Sequence, residues 1–163
     1  MIERDAVVIR RAGSEDTSAL EALVRGFRDH LAARVPSDAD LRRSLPRAIA
    51  DAGIEFYCAW RGEEALGYTQ IRFLTSIWAP GIEAHLEDLF VVAHARGKAV
   101  GRALLRHALT RAGERGARRL SLDTNDGNEI ARALYRSEGL HPQSHALYPG
   151  GREVLWVKEL PIR

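Results

Sequence analysis

Two stretches of this sequence hold residues whose types and spacing suggest chemistry. The first runs Leu89-Phe90-Val91-Val92-Ala93-His94-Ala95-Arg96-Gly97-Lys98-Ala99-Val100-Gly101-Arg102. An apolar strand-like run ends there, and small residues at 97, 99 and 101 stand where a helical period begins. The first-turn amides of a helix have no partner inside it, and the helix dipole favours negative charge at that end. Without bulky side chains in the way, such amides can close around phosphate oxygens. Arg96, Lys98 and Arg102 add positive charge within reach. The stretch lacks the GK[ST] ending of a Walker loop and is not GxGxxG. An ordinary strand-to-helix turn, with small residues for packing, is the plain alternative.

The second stretch is Asn128-Glu129-Ile130-Ala131-Arg132-Ala133-Leu134-Tyr135-Arg136-Ser137-Glu138-Gly139-Leu140. Helical positions seven apart nearly eclipse, so Asn128 and Tyr135 share a face. Ile130 and Leu134 are expected to form the opposite, core-facing stripe. A tyrosine off the apolar centre can present its hydroxyl to a cleft, or it can simply pack half-buried.

These stretches need elements to hold them. Val7–Arg10 reads as a short strand. Gly13-Ser14 opens a helix with Glu15 and Asp16 in its first turn, and the stripe Leu20, Leu23, Val24, Phe27, Leu31 carries it to about Ala33. Ser37 caps a second helix with Leu41, Leu45 and Ile49, which Pro46 is expected to kink or split. Ile54–Trp60 and Ala65 to about Leu74 read as strands about an Arg61–Glu64 turn, and Glu83–Val92 as a third. From Gly97 the period is helical again, with Val100, Leu104, Ala108 and Ala112 recurring every four residues, and Gly113 and Gly116 end that helix. Leu120–Leu122 is a short strand, and Asn128–Glu138 is a helix stopped by Gly139. His145–Tyr148 and Arg152–Leu160 close the chain as strands. That order predicts an α/β fold with a mostly antiparallel sheet, not an alternating Rossmann fold. No linker or repeat divides the chain, so residues 1–163 read as a single domain.

The chain has 163 residues, about one domain's worth. Its apolar 45% and charged 28% are ordinary for a globular protein and argue against disorder. No apolar run approaches the ~20 residues that cross a bilayer, and no signal-peptide pattern follows Met1, so a cytoplasmic protein away from membranes is expected. One cysteine, Cys58, excludes an internal disulfide, and lying in an apolar strand it reads as buried rather than nucleophilic. His141 and His145 have no third ligand in view, so no metal site is expected. Trp60, Trp78 and Trp156 are expected to pack the sheet. Residues 93–119 carry a net +7 and the remainder −5, which suggests an anionic ligand. The 22 arginines against 2 lysines allow a purely compositional origin.

Together, in this order, the two stretches resemble the GNAT superfamily of acyl-CoA-dependent N-acetyltransferases. Its pattern is [RQ]xxGx[GA] at the start of a helix, then NxxAxxLYxxxGF on the next. Here the first is Arg96-Gly97-Lys98-Ala99-Val100-Gly101 and the second is Asn128…Ala131…Leu134-Tyr135…Gly139-Leu140. Ala99 replaces the usual glycine and Leu140 the usual phenylalanine; alanine keeps the turn if its φ is negative. The likeness is good over about residues 84–140 and rests elsewhere on element order. It implies about seven strands and four helices, with strands 4 and 5 splayed into a V.

The resemblance also implies roles. Backbone groups of Leu89, Phe90 and Val91 would hold the pantetheine arm of acetyl-CoA as an added strand, with the Val91 N–H polarising the thioester carbonyl. The amides from Arg96 through Gly97, Lys98, Ala99, Val100 and Gly101 to Arg102 would grip the pyrophosphate. Asn128 would bond the arm, and Tyr135 would sit near the sulfur. Tyrosine is protonated at neutral pH and can donate to the leaving thiolate. The attacking amine must be neutral, so a base is needed. Glu87 shares strand parity with Leu89 and Val91 and is the first candidate, directly or through water, with Asp88 second. The pair could equally be a solvated strand end or a structural ion pair.

The implied acceptor is the primary amine of a small molecule, drawn by Glu87, Asp88, Asp123 and Asp126. Leu86–Val91 is similar to the matching stretch of polyamine acetyltransferases, though many other members share it, and an amino-acid-like amine fits as well. A protein or peptide amine, and a non-enzymatic CoA-binding regulatory module, are the alternatives; Tyr135 argues against the second. Whether the chain forms a homodimer is open. A nucleic-acid binder lacks aromatic interleaving in the basic segment, so no nucleic acid is expected as partner.

Overall fold

Apolar runs build the strands, and the side chains of Ser37 and Asn128 cap two of the helices. The computed structural model describes residues 6–77, 81–148 and 151–161. β1 (Val8–Arg11) pairs antiparallel with β2 (Ile54–Arg61), from Val8↔Trp60 to Arg11↔Tyr57. Between them, a 3-10 turn at Ser14–Asp16 leads into α1 (Thr17–His30). Asp16 fastens that turn to β1. Its carboxylate accepts from both terminal nitrogens of Arg10, at 2.8 and 2.7 Å, and from the Gly13 amide at 3.0 Å.

α2 (Asp38–Ala50) starts with a reciprocal cap: the Ser37 hydroxyl accepts from the Asp40 amide and the Asp40 carboxylate from the Ser37 amide, each at 3.2 Å. Pro46 was expected to kink or split this helix, yet it lies inside one continuous element. Proline removes one backbone bond there, while Leu41 and Leu45 are buried before it and Ile49 packs on the core after it.

β3 (Glu64–Ser76) and β4 (Gly81–Val91) follow, then α3 (Val100–Glu114), β5 (Ala117–Asn125), α4 (Glu129–Ser137), β6 (His141–Tyr148) and β7 (Gly151–Glu159). The seven strands hydrogen-bond in the order β1-β2-β3-β4-β5-β7-β6. β4 and β5 are parallel, whereas β5/β7 and β6/β7 are antiparallel. One mixed sheet with four helices is the expected α/β class. The β4–β5 register runs from Ile82↔Ala117 to His85↔Ser121. Several boundaries differ: α3 starts at Val100 rather than Gly97 and continues through Gly113, β4 starts at Gly81, β5 extends beyond Leu120–Leu122 at both ends, and β6 starts earlier than expected.

The fold comprises two compact units. The first is Met1–Ile71 with Asp88–His107. There Leu20, Leu23, Leu41, Leu45, Phe56, Cys58, Tyr68 and Phe90 form one core cluster, and Ala59, Leu66, Ala95, Val100 and Leu104 another. Gly67 is indispensable in this unit, because a Cβ on it would lie 2.4 Å from the Phe90 carbonyl oxygen. The second unit is Arg72–Glu87 with Ala108–Arg163. It buries Leu120, Leu122, Val154 and Trp156. Trp60 is half-buried beneath the Arg10 guanidinium, and Trp78 lies outside the described residues. Among the described residues, no helix is long and apolar enough to cross a membrane.

Candidate active site

In the first unit, β4 leads into the turn that begins α3. The Val92 amide donates to the Leu66 carbonyl at 2.9 Å, which anchors the strand end. Arg96 folds back: its Nε donates to the Val91 carbonyl at 2.9 Å, and its guanidinium lies 5.8 Å from the Phe90 ring centroid. This side chain ties the turn to the strand it leaves. Gly97 and Ala99 are both left-handed, with φ of +72° and +62°. The condition of a negative φ at Ala99 is therefore not met, and the turn forms all the same. Alanine adopts the conformation that a glycine takes without steric cost, at about 1–2 kcal/mol for its Cβ.

The first bond into α3 joins the Ala103 amide to the Ala99 carbonyl at 3.0 Å. The amides of Val100, Gly101 and Arg102 precede it, at the positive end of a helix dipole. A Cβ at Gly97 would meet no atom within 4 Å, so the rim of the turn is open. Exposed Lys98 and Arg96 lend positive charge. Open rim, leading amides and cations fit a diphosphate.

Upstream, Phe90 is buried against Phe27 and Tyr68, at ring-centroid distances of 5.6 and 6.4 Å. Leu89 and Val91 are partly buried against the second core cluster. The Asp88 carboxylate accepts from the Tyr68 hydroxyl, and its carbonyl from Thr69 Oγ1, both at 2.8 Å. Burial, reinforced by the Asp88 charge, keeps the Tyr68 hydroxyl protonated well above the usual tyrosine range.

The second unit holds the other residues. Glu87 is exposed, with Arg72 Nη1 at 3.4 Å. Two positions earlier, His85 Nδ1 lies 2.9 Å from Ser121 Oγ, and its Nε2 lies 3.7 Å from Asp123 Oδ2. Burial raises the proton affinity of Asp123 above the ordinary carboxylate range; His85 opposes this, and the charges of Glu153 and Glu87 add to it. His85 escaped the sequence reading. The alternation Glu83, His85, Glu87 along β4 was its signal, since it puts all three on the parity assigned to Glu87.

Asn128 caps α4, its Oδ1 accepting from the Ala131 amide at 3.2 Å. The cap uses the oxygen, and the –NH2 is the end that can donate to a ligand. Tyr135 is buried, its ring 5.9 Å from that of Trp156, and burial pushes its hydroxyl up to about 12. The expected core stripe on this helix is corrected at Ile130, which is 87% exposed. The inward side is centred on Tyr135, and Ile130 stands about 140° around the helix from it. In the first unit, Cys58 is fully buried and its thiol is pushed up to about 12 by desolvation, which leaves it inert. The side chain of His145 lies outside the described residues.

Residues 20–140 match the Acetyltransferase (GNAT) family. YhfO, an N-acetyltransferase of Bacillus subtilis (strain 168), is 33% identical over 132 residues, which cover 80% of this chain and 87% of YhfO. An aminoglycoside acetyltransferase from an uncultured soil metagenomic sample, solved with trehalose, is similar in fold, with a TM-score of 0.76 at 17% identity over 88% of this chain and 95% of that one. So is PaiA N-acetyltransferase of Thermoplasma acidophilum in complex with coenzyme A, at 0.74 and 17% over 95% and 99%.

Proposed function

Since the chain belongs to the Acetyltransferase (GNAT) family and is an acyltransferase that acetylates an amine from acetyl-CoA, we propose that its acceptor is the primary amine of a small molecule, polyamine-like or amino-acid-like. The turn of residues 96–102 carries the cofactor end of this reading: two left-handed residues and an open rim set leading amides where a diphosphate can be held. Backbone groups of Leu89, Phe90 and Val91 hold the pantetheine arm, and the Val91 N–H polarises the thioester carbonyl. The Asn128 –NH2 donates to the arm.

Bound acetyl-CoA supplies the thioester carbon that the amine attacks. Glu87, directly or through one water, draws a proton from the acceptor's ammonium. It is favoured over Asp88 because Asp88 already accepts from Tyr68, whereas Glu87 is exposed beside Arg72. Tyr135, buried and still protonated, donates to the leaving sulfur. Transfer is direct, within one complex of both substrates. Inert Cys58 suits that route, since it offers no thiolate to carry the acetyl group. Residues 1–163 act as one N-acetyltransferase domain in this account.

The deciding experiment follows free-thiol release from acetyl-CoA with spermidine, kanamycin, free amino acids and a peptide with an unblocked N-terminus. Faster release with a small amine than with the peptide is expected. Preference for the peptide would move the acceptor to a protein amine.

A further inference from the structure

We propose that His85 is where the acceptor's proton comes to rest during acetyl transfer, with Ser121 and Asp123 fixing its ring for that task. The proposal rests on the N-acetyl-transfer reading and adds the proton's destination to it.

The three residues share one face of two paired strands. β4 and β5 place Glu83 beside Arg119 and His85 beside Ser121. Side chains in both pairs touch: Arg119 Nη2 donates to Glu83 at 2.7 Å, and Ser121 Oγ lies 2.9 Å from His85 Nδ1. Farther along β5, the Asp123 carboxylate lies 3.7 Å from Nε2. Each ring nitrogen thus faces a different kind of group. At 3.7 Å the Asp123 carboxylate is in ion-pair range of Nε2 but beyond a direct hydrogen bond, so it acts on the ring as a counter-charge. The Ser121 hydroxyl can donate or accept, so it serves Nδ1 whether or not that nitrogen carries a hydrogen. The ring can thus take a proton without losing its hydrogen bond to Ser121. The imidazolium then has the Ser121 hydroxyl as acceptor at Nδ1 and the Asp123 carboxylate as counter-charge near Nε2.

Charged groups surround the ring. On β4, Glu83 and Glu87 flank His85; on β5 stand Arg119 and Asp123; Arg72 of β3 is paired with Glu87; Glu153 of β7 acts on Asp123. Imidazole is the side chain best suited to taking up and releasing a proton near neutral pH. His85 is 25% exposed, which lets solvent remove the proton between turnovers.

The step balances. One ammonium N–H bond breaks, and its proton passes by way of Glu87 or water to the His85 ring. The freed lone pair forms the C–N bond. The C–S bond breaks with its electron pair on sulfur, which takes the Tyr135 proton. The second amine proton, lost as the amide forms, restores the tyrosine.

The test is the pH profile of kcat/KM with acetyl-CoA and spermidine, kanamycin or an alanyl peptide, in the unmodified protein and in His85→Gln, Asp123→Asn, Ser121→Ala and Ser121→Thr. His85→Gln is expected to lose about 100-fold in kcat/KM together with its acid limb, while acetyl-CoA still raises its melting temperature. Asp123→Asn moves the acid limb to lower pH, because the imidazolium loses its counter-charge. Ser121→Ala slows transfer and Ser121→Thr restores it. A His85→Gln enzyme within twofold of the unmodified rate, with the same acid limb, overturns the proposal. If His85→Gln does not fold, NMR titration of the His85 ring decides: a midpoint that falls in Asp123→Asn supports the pairing, and an unmoved one overturns it. Glu87→Gln separates the two readings. Full activity there, with loss in His85→Gln, removes Glu87 from the route and keeps His85. Turnover of none of the three acceptors defeats the acceptor class, and the NMR titration still decides on His85.

Discussion

A hydroxyl can give a proton to a leaving group only if it still carries one. Tyr135, buried beside Trp156 and pushed up to about 12, keeps its proton across the range in which an enzyme of this class works. Tyr135→Phe preserves the ring packing and removes the proton. Turnover should fall about 100-fold, with the effect of acetyl-CoA on the melting temperature unchanged; equal turnover in both proteins would remove the acid role. Residues 97 and 99 make a second, purely conformational contrast. Ala99→Gly relieves a left-handed Cβ worth about 1–2 kcal/mol but loosens the unfolded chain by about 0.4–1 kcal/mol. The net gain is roughly 0.5–1 kcal/mol, or about 2 °C in Tm. Gly97→Ala runs the other way by a similar amount, because its new Cβ meets no atom within 4 Å and only the backbone resists it. Calorimetry on the two variants should give shifts of opposite sign.

At the scale of elements, the fastening of β1 to the start of α1 depends on a buried carboxylate. Its two bonds to Arg10, helped by the Gly13 amide and opposed by burial, hold Asp16 below the usual carboxylate range. A carboxyl with a lowered folded value stabilises fully above its unfolded value of about 3.9 and loses that contribution as pH falls through the folded value. Asp16→Asn should cost about 2 kcal/mol at pH 7, and urea unfolding should show the gap closing below pH 4. A gap that persists at pH 2.5 would mean packing, not charge, sets the cost. Elements with one apolar face and an explicit cap were legible from the residues alone: α2 behind Ser37, α1 along Leu20 and Leu23, and the turn at Arg96. Elements whose polar residues find partners were not. Arg118 and Arg119 hid the start of β5, because a charged strand position looks like a loop until Glu83 is seen opposite Arg119. Ile130 misled because apolarity stands for burial only on average. His85 was overlooked because its meaning depends on Ser121 and Asp123, more than 30 positions away along the chain.

At the scale of the molecule, the basic stretch 93–119 against an otherwise acidic chain admits two accounts. If exposed arginines bind a polyanion, affinity falls steeply with salt and nucleic acid competes. If leading amides at 96–102 hold a diphosphate, much of the binding comes from hydrogen bonds to fixed main-chain donors, which salt screens far less than exposed charges. Several of those arginines are already committed: Arg96 to the Val91 carbonyl, Arg111 to Glu114 and Arg119 to Glu83. That favours the amides. A ligand at 100 times its Kd stabilises the folded state by about 2.7 kcal/mol. Acetyl-CoA should therefore raise the melting temperature by several degrees, keep most of that shift when NaCl rises to about 0.5 M, and do so while random-sequence DNA gives none. A shift abolished by salt would return the ligand to the arginine side chains, and no shift at any salt would remove the diphosphate from residues 96–102.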